Sequence, residues 1–270
     1  MIEIFVPKDS SVEKTLQLTE EQQLLIHVES GAKLYLVFES TTVTSQSFIL
    51  STDIIVEQGA SLDFCDLDLS MAGTTRTHHL SIRQESDSQV FVHNISLTDG
   101  NNRNTTKVDL CGEGAELSLN GLVIAHLAQN VDNHTWVQHR APRTTSHQLY
   151  KYVLDDKAVG TYAGLVKVLP GAHHTVSEQI NRNLCVTREA RMFAQPQLEI
   201  YNDDVRCNHG SSTGQLDDNA LFYMRQRGIS LHEARLLLMA AFVGEVVNEI
   251  RIPALRERLR DLVEKRFRNI

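Results

Sequence analysis

Apolar and polar residues alternate along most of the chain, from about residue 24 to about residue 205, and many of the apolar residues are β-branched or aromatic. The clearest segments read KLYLVFES, SLDFCDLDLS, QVFVHNISL and AELSLNGLVIA. Alternation with a period of two is typical of β-strands that bury one face. The pattern therefore predicts a mainly β protein over the first four fifths of the sequence.

The strand segments also repeat. VESGAKLYL returns as VEQGASLDF 28 residues later, CGEGAELSL repeats the same Gly-Ala turn, and LPGAHHTV resembles a degenerate further copy. Equivalent places in successive segments are held, at intervals of 28, 28 and 27 residues, by Leu34, Leu62, Val90 and Leu117. A period between about 20 and 50 residues indicates a stacked architecture. Because the unit contains no helix and is short for a propeller blade, we predict a right-handed parallel β-helix (a β-solenoid), with a β-sandwich as the alternative.

The pattern changes to a helical one near Leu216. Asp217 begins a first predicted helix that ends at Gly228, and Ser230 with Glu233 forms a capping box for a second helix. Pro253 breaks the second helix and precedes a third. We expect the apolar stripe of the second helix to pack against the β-region. The sequence thus divides into a β-helix core, 1–215, and a C-terminal helical segment, 216–270.

Composition narrows the classes of function. The chain has 270 residues and a formal net charge of −8, which disfavours nucleic-acid binding because phosphate contacts need a basic surface. No apolar run reaches the ~18 residues of a membrane span. The N-terminal sequence does not resemble a secretion signal, so we expect a cytoplasmic protein. None of the four cysteines forms a CxxC pair, and we expect them to be reduced.

Few residues suggest catalysis. The sequence contains no GxSxG, GxxxxGK[ST], HExxH or GxGxxG motif, so we predict that the protein is not an enzyme. A hydrolytic β-helix would carry carboxylates gathered on one face. Two acidic groups occur and are interpreted as exposed strand or turn carboxylates: Asp63, Asp66 and Asp68, and Asp203 with Asp204.

Twelve histidines raise the question of a metal site. The neighbours His78–His79 and His173–His174 would point to opposite faces of a strand, and so would His134 and His139. For these histidines we favour half-buried imidazoles bonded to turns. Cys207 and His209 differ, because residues two apart on a strand leave the same face. A thiolate and an imidazole on one face can bind iron or a soft transition metal, but two ligands do not complete a site.

The segment from Gln195 to Ser230, QPQLEIYNDDVRCNHGSSTGQLDDNALFYMRQRGIS, resembles the C-terminal core of the SufB/SufD family of SUF iron–sulfur cluster assembly scaffolds. The stretch TYAGLVKVLPGAHHTVSEQINRNLCVT, which begins at Thr161, fits the same family. Cys-x-His-Gly at Cys207 has the SufD form. The stretch before Pro196 lacks the Cys-Gly-Ala-His element of SufB. The resemblance therefore favours the SufD side of the family.

This resemblance implies a β-helix core that pairs with SufB and C-terminal helices that dock onto SufC, an ABC-type ATPase. His209, with Cys207 beside it, would face the SufB interface, where SufB supplies further ligands to a transient iron–sulfur cluster or iron; no tightly bound cofactor is implied. ATP-driven dimerisation of SufC would pull on the helices and shift that interface. The residues we select for docking are Phe222, Tyr223, Arg225, Arg227 and Glu245. The alternative for Phe222 is packing on the last solenoid coil.

Two other functions remain open on the sequence. A secreted-type carbohydrate-binding or carbohydrate-active β-helix would need a lengthwise acidic or aromatic groove, which one tryptophan and 6% aromatic residues serve poorly. A homodimer could form through the open end of a β-helix, and a SufD-like chain alone could use the surface meant for SufB. Family members are usually longer, with an N-terminal helical region, so the resemblance does not extend to functions of that region such as a flavin contact.

Overall fold

A computed structural model describes residues 1–42 and 47–268. The chain winds through about seven turns of a parallel β-solenoid whose strands alternate between two eight-stranded sheets. The odd sheet contains β1 (Ile2–Val6), β3 (Gln22–Val28), β5 (Ser47–Val56), β7 (Thr75–Gln84), β9 (Asn101–Leu110), β11 (Asn130–His139), β13 (Val159–Val168) and β15 (Arg191–Ile200). The even sheet contains β2 (Ser11–Leu18), β4 (Lys33–Ser40), β6 (Ser61–Asp68), β8 (Gln89–Ser96), β10 (Glu116–Ala125), β12 (Thr145–Leu154), β14 (Thr175–Cys185) and β16 (Val205–Gly214).

The repeat predicted from the sequence is the coil of the solenoid. Leu34 pairs with Leu62, Leu62 with Val90, and Val90 with Leu117 on neighbouring parallel strands. All four side chains are buried between the two sheets in one apolar cluster. The β-solenoid prediction is confirmed. The β-sandwich alternative is wrong, because a sandwich is built of antiparallel pairs.

One tight turn recurs in successive coils. The backbone has a positive φ three residues before each member of the inward-facing row that contains Leu34, Leu62, Val90 and Leu117. These positive-φ residues are Asp9, Gly31, Gly59, Asp87, Gly114, Arg143 and His174. Glycine adopts this left-handed conformation without strain and aspartate tolerates it better than most residues, which explains the repeated Gly-Ala turn and the aspartates at positions 9 and 87. His173 and His174 lie in this turn and are both exposed. The expectation that they alternate on a strand is therefore wrong.

A close approach inside the solenoid requires a glycine. Gly121 lies opposite Tyr150 in register, and a Cβ atom on Gly121 would sit 2.1 Å from two carbons of the Tyr150 ring. We expect Gly121→Ala to lower the free energy of unfolding by about 1–3 kcal/mol, because the fully buried ring has no free space to move into. Urea denaturation measures this change. In Gly210→Ala the new methyl group meets nothing within 4 Å, so that control should match wild type; equal effects would contradict the packing.

Three helices follow the solenoid: α1 (Asp218–Gln226), α2 (Leu231–Asn248) and α3 (Pro253–Phe267). Their ends agree with the predicted signals. Asp217 caps α1, and Ser230 and Glu233 form a reciprocal capping box at the start of α2. Pro253 occupies the first turn of α3, where its missing N–H is not needed.

Helices α2 and α3 cover the outer face of the even sheet. Met239, Val243 and Val246 are buried in a second apolar cluster with outward-facing strand residues such as Leu122 and Leu149, so the predicted packing of this stripe is confirmed. Leu237 on the same helix is 52% exposed, so not every apolar residue of α2 faces the sheet. Across residues 1–42 and 47–268, no helix combines the length and the apolar character needed to cross a membrane.

The aspartates of β6 correct the sequence prediction. Asp63, Asp66 and Asp68 are all buried, not exposed. Asp66 faces the interior and accepts hydrogen bonds from Arg76 Nη2 at 2.5 Å and from His78 Nδ1 at 2.8 Å. Alternation cannot reveal this burial, because the inner face of β6 lies in the solenoid and its outer face lies under the helices. Asp203 and Asp204 are exposed, as expected.

Candidate functional site

The solenoid ends in two strands that are paired on one side only. Within the described part of the chain, β15 pairs with β13 and β16 pairs with β14, and neither strand has a partner on its other edge. The free edges carry unpaired backbone N–H and C=O groups, which are able to bind another strand. The last coil therefore forms an open end with hydrogen-bonding capacity in both sheets.

Cys207 and His209 lie on the inner face of this open end. Cys207 is opposite Ser177 in register, His209 is opposite Gln179, and both partners are buried inside the solenoid. Burial raises the pKa of Cys207, so its side chain is a thiol at neutral pH rather than the thiolate that metal binding requires. The structure thus brings the two predicted ligands together on one face and one end.

In the coils that precede Cys207, the inward-facing residues in register with it belong to a chain of hydrogen-bonded side chains. The hydroxyl groups of Ser177 and Ser146 lie 2.8 Å apart, and Ser146 Oγ is 2.9 Å from His139 Nε2. His139 Nδ1 is 2.8 Å from the hydroxyl of Thr144 in the preceding turn. Burial lowers the pKa of His139 to about 4, so this imidazole is neutral. The predicted bond to a turn is confirmed for His139, but the imidazole is fully buried and not half-buried as expected.

In the two preceding strands of the even sheet, the positions in register with His209 are held by two buried glutamines, Gln179 on β14 and Gln148 on β12. Gln148 accepts a hydrogen bond from the Thr135 hydroxyl at 2.9 Å, and the Gln179 side chain lies beside the hydroxyl of Tyr162. Sequence reasoning missed Gln179. Its position, one coil or 30 residues before His209, is the signal that could have found it, because the repeat places such residues side by side.

Across residues 1–42 and 47–268, no three His, Cys, Asp or Glu side chains are grouped so that they could hold a metal ion. Cys207 and His209 supply two donors, whereas iron and zinc sites in proteins commonly have four. A metal bound at the open end would need further donors from outside the described part of this chain.

The selected residues of α1 lie on the surface. Phe222 is 65% exposed and Tyr223 is 58% exposed, and the guanidinium of Arg227 lies 4.7 Å from the centre of the Tyr223 ring. Arg225 is also exposed. The alternative in which Phe222 packs on the last coil is wrong. These neighbouring exposed rings form an apolar patch and are a candidate contact.

Glu245 on α2 is engaged within the chain. Its carboxylate lies 2.5 Å from Lys151 Nζ on β12 and 3.2 Å from Arg182 Nη1 on β14. The hydrogen bond from Lys151 holds the pKa of Glu245 below its usual value. Lys151 also donates to the carbonyl of Phe242 at 2.7 Å. Glu245 therefore ties α2 to the two even-sheet strands that precede β16.

Comparison with known proteins identifies the family. The family model described as "SUF system FeS cluster assembly, SufBD core domain" matches residues 11–242. The iron–sulfur cluster assembly protein SufD of Escherichia coli is 33% identical over 181 residues, covering 67% of this chain and 43% of that protein. SufD of Bacillus subtilis is 26% identical over 278 residues, covering 98% and 64%. A SufBD family protein of Mycobacterium leprae is 34% identical over 197 residues, covering 69% and 49%.

The chain spans less than two thirds of the length of each of these relatives. The match nevertheless extends from β2 into α2 and includes the strands that carry Cys207 and His209. The parallel solenoid and the C-terminal helices agree with the fold that the sequence resemblance implies. The chain belongs to the SufBD core family of the SUF iron–sulfur cluster assembly system, in which it is similar to members named SufD.

Proposed function

We propose that this protein is a non-catalytic scaffold subunit of a cytoplasmic SUF complex, which pairs with a SufB-like protein through the open end of its solenoid. The observation that carries the proposal is the pair of free strand edges, β15 and β16, at the same end as Cys207 and His209. Strand edges give an interface its backbone hydrogen bonds, and inward side chains at that end would face the partner.

In this complex the iron–sulfur cluster is cargo rather than a resident cofactor. Cys207 and His209 would hold it transiently, and the SufB-like partner would supply the remaining ligands. Because the pKa of Cys207 is raised by burial, the thiol would lose its proton only when a positive metal centre approaches.

The helical segment would dock a SufC-like ATPase, with Phe222, Tyr223, Arg225 and Arg227 as the exposed contacts. The ion pairs of Glu245 would transmit a movement of α2 to β12 and β14. Strand β14 pairs with β16 along its length, so such a movement would reach the strand that carries Cys207 and His209. ATP-driven motion at the helices would thereby change access to the open end.

Co-purification with the SufB-like and SufC-like proteins of the same organism tests both contacts. Wild type should retain both partners. Phe222→Ser combined with Tyr223→Ser should weaken ATPase binding at least about tenfold, because exposed aromatic anchors dominate such interfaces, and should leave the SufB-like partner bound. Phe5→Ser is the matched control, since Phe5 is an exposed aromatic residue on β1, at the opposite end of the solenoid.

Three outcomes are decisive in this experiment. Loss of only the ATPase in the double variant supports separate docking surfaces. Retention of the ATPase by the double variant places that contact elsewhere on the protein. Failure of the wild-type chain to bind either partner would contradict the scaffold function.

A further inference from the structure

His93, on the outer face of β8, lies beneath the helical segment without a hydrogen bond. It is 3% exposed, and within the described part of the chain neither of its ring nitrogens has a partner. Burial and, to a smaller extent, the charge of Arg251 lower the pKa of His93 to about 4, so the imidazole is neutral while it is covered. A buried polar group without a partner is costly, so covering His93 works against the contact between the helices and the sheet.

The side chains next to His93 are polar as well. In register with His93 are Cys65 on β6 and Asn120 on β10, and all three are buried. Among the described residues, Oδ1 of Asn120 has no hydrogen-bond partner, and neither has Oδ1 of Asp63, which is two residues before Cys65 and also buried. Together these four residues form a buried polar patch on the outer face of the even sheet: Asp63, Cys65, His93 and Asn120.

The connection between α2 and α3, residues 249–252, reaches this polar patch through Arg251. The guanidinium of Arg251 lies 4.3 Å from the centre of the Phe91 ring, two residues before His93 on the same face of β8. Arg251 Nη1 is 3.6 Å from Asp63 Oδ2, which is too long for a hydrogen bond. The α2–α3 connection thus covers the polar patch without satisfying it.

The two helices are held more firmly on either side of this connection. On α2, the carboxylate of Glu245 is 2.5 Å from Lys151 Nζ. On α3, Arg258 donates to both oxygens of Glu39, at 2.5 and 2.7 Å. Charge-assisted hydrogen bonds of this length are roughly twice as strong as neutral ones. The weaker attachment therefore lies at the α2–α3 connection, where the covered groups would gain most from contact with water.

We infer that the α2–α3 connection is a lid, which opens away from the polar patch while the solenoid stays folded. In the open state water satisfies His93, Asn120 and Asp63, which offsets part of the apolar contact that is lost. Cys65 and His93 lie on strands about 4.8 Å apart, so opening uncovers them together as a second thiol–imidazole pair. This movement needs neither a partner protein nor a cluster, and the free chain should show it whether or not the proposed function holds.

Alkylation of Cys65 measures the opening, because a thiol reagent reacts only with an uncovered side chain. Mass spectrometry follows the Cys65 peptide at urea concentrations below the unfolding transition of Trp136 fluorescence. Trp136 is the one tryptophan of the chain and lies on β11 in the odd sheet, whereas the helices lie on the even sheet, so its signal reports on the solenoid. In wild type, Cys65 should be alkylated while the Trp136 signal is still native.

Substitution of His93 tests what drives the opening. His93→Leu should slow the alkylation of Cys65 about tenfold, because the open state no longer gains the hydration of the imidazole. His93→Gln keeps a polar side chain at the position and should stay closer to wild type than to His93→Leu. His79→Leu is the matched control, because His79 is an exposed histidine on the odd sheet, and it should match wild type.

Slower alkylation in His93→Leu alone, with native Trp136 fluorescence throughout, supports the lid. Three other results would overturn it. If Cys65 reacts only as Trp136 fluorescence is lost, the helices leave the sheet only when the whole chain unfolds. Equal rates in wild type and His93→Leu would mean that the polar patch does not drive the opening. A faster reaction in His93→Leu would mean that the imidazole already has a partner in the closed state, such as an internal water.

Discussion

Replacing Arg76 by methionine is expected to lower the free energy of unfolding by about 3–5 kcal/mol, the cost of leaving a buried charge without its partner. Arg76 is completely buried, and its Nη2 lies 2.5 Å from Asp66 Oδ1. Its other nitrogens donate to Ser40 Oγ at 3.0 Å and to Asn104 Oδ1 at 3.2 Å. Although burial alone would raise the pKa of Asp66, the Arg76 charge and His78 hold it below its usual value, so the carboxylate is ionised.

Urea denaturation at neutral pH measures the effect, with Arg83→Met as the control. Arg83 forms an ion pair with Glu85 on the surface, and exposed pairs are typically worth about 0–1 kcal/mol. Combining Arg76→Met with Asp66→Asn should recover part of the loss, because no uncompensated charge remains. A loss below about 1 kcal/mol for Arg76→Met would mean that Asp66 is neutral or hydrated, contrary to the buried ion pair.

The second large effect is a loss of stability in acid that depends on His139. Burial lowers the pKa of His139 to about 4, whereas in the unfolded chain it is close to 6.5. The unfolded state therefore takes up the proton first, and stability falls as the pH decreases from about 6.5 to about 4. Between pH 7.5 and 4.5 this one group should remove about 2–3 kcal/mol.

The comparison of wild type with His139→Gln isolates this group from other titrating residues. Glutamine retains a donor and an acceptor toward Thr144 and Ser146 but does not titrate, so the variant should lose about 2–3 kcal/mol less than wild type over the same pH range. His79→Gln is the matched control, because His79 is exposed. Identical pH dependence in wild type and His139→Gln would show that His139 is charged or hydrated in the folded protein.

Most of the fold could be predicted from the sequence, because the signals are local and repeated. Gly31, Gly59 and Gly114 mark the same left-handed turn in different coils. The apolar residues three positions after them belong to one inward-facing row. The starts of α1 and α2 could be predicted equally well, because Asp217 and Ser230 are capping residues whose side chains hydrogen-bond to the first turn of the helix. These signals require no knowledge of distant contacts.

The candidate site was predictable only in part. The two-residue spacing of Cys207 and His209 places them on one face whatever the surrounding structure. Burial of Asp66 could not be predicted in the same way, because both faces of β6 are covered and alternation no longer separates core from surface. Gln179 was missed because its place next to His209 depends on the register of β14 with β16, which is a tertiary property.

The most direct test of the scaffold function measures iron and sulfide in the complex isolated with the SufB-like partner. Three proteins are compared: wild type, His209→Ala, and the control His79→Ala, which alters an exposed histidine on the outer face of the odd sheet. Pairing through the open end predicts that wild type and His79→Ala carry iron and sulfide, while His209→Ala still binds the partner but carries little of either. Equal iron and sulfide in all three complexes would contradict a cluster site at the open end of the solenoid.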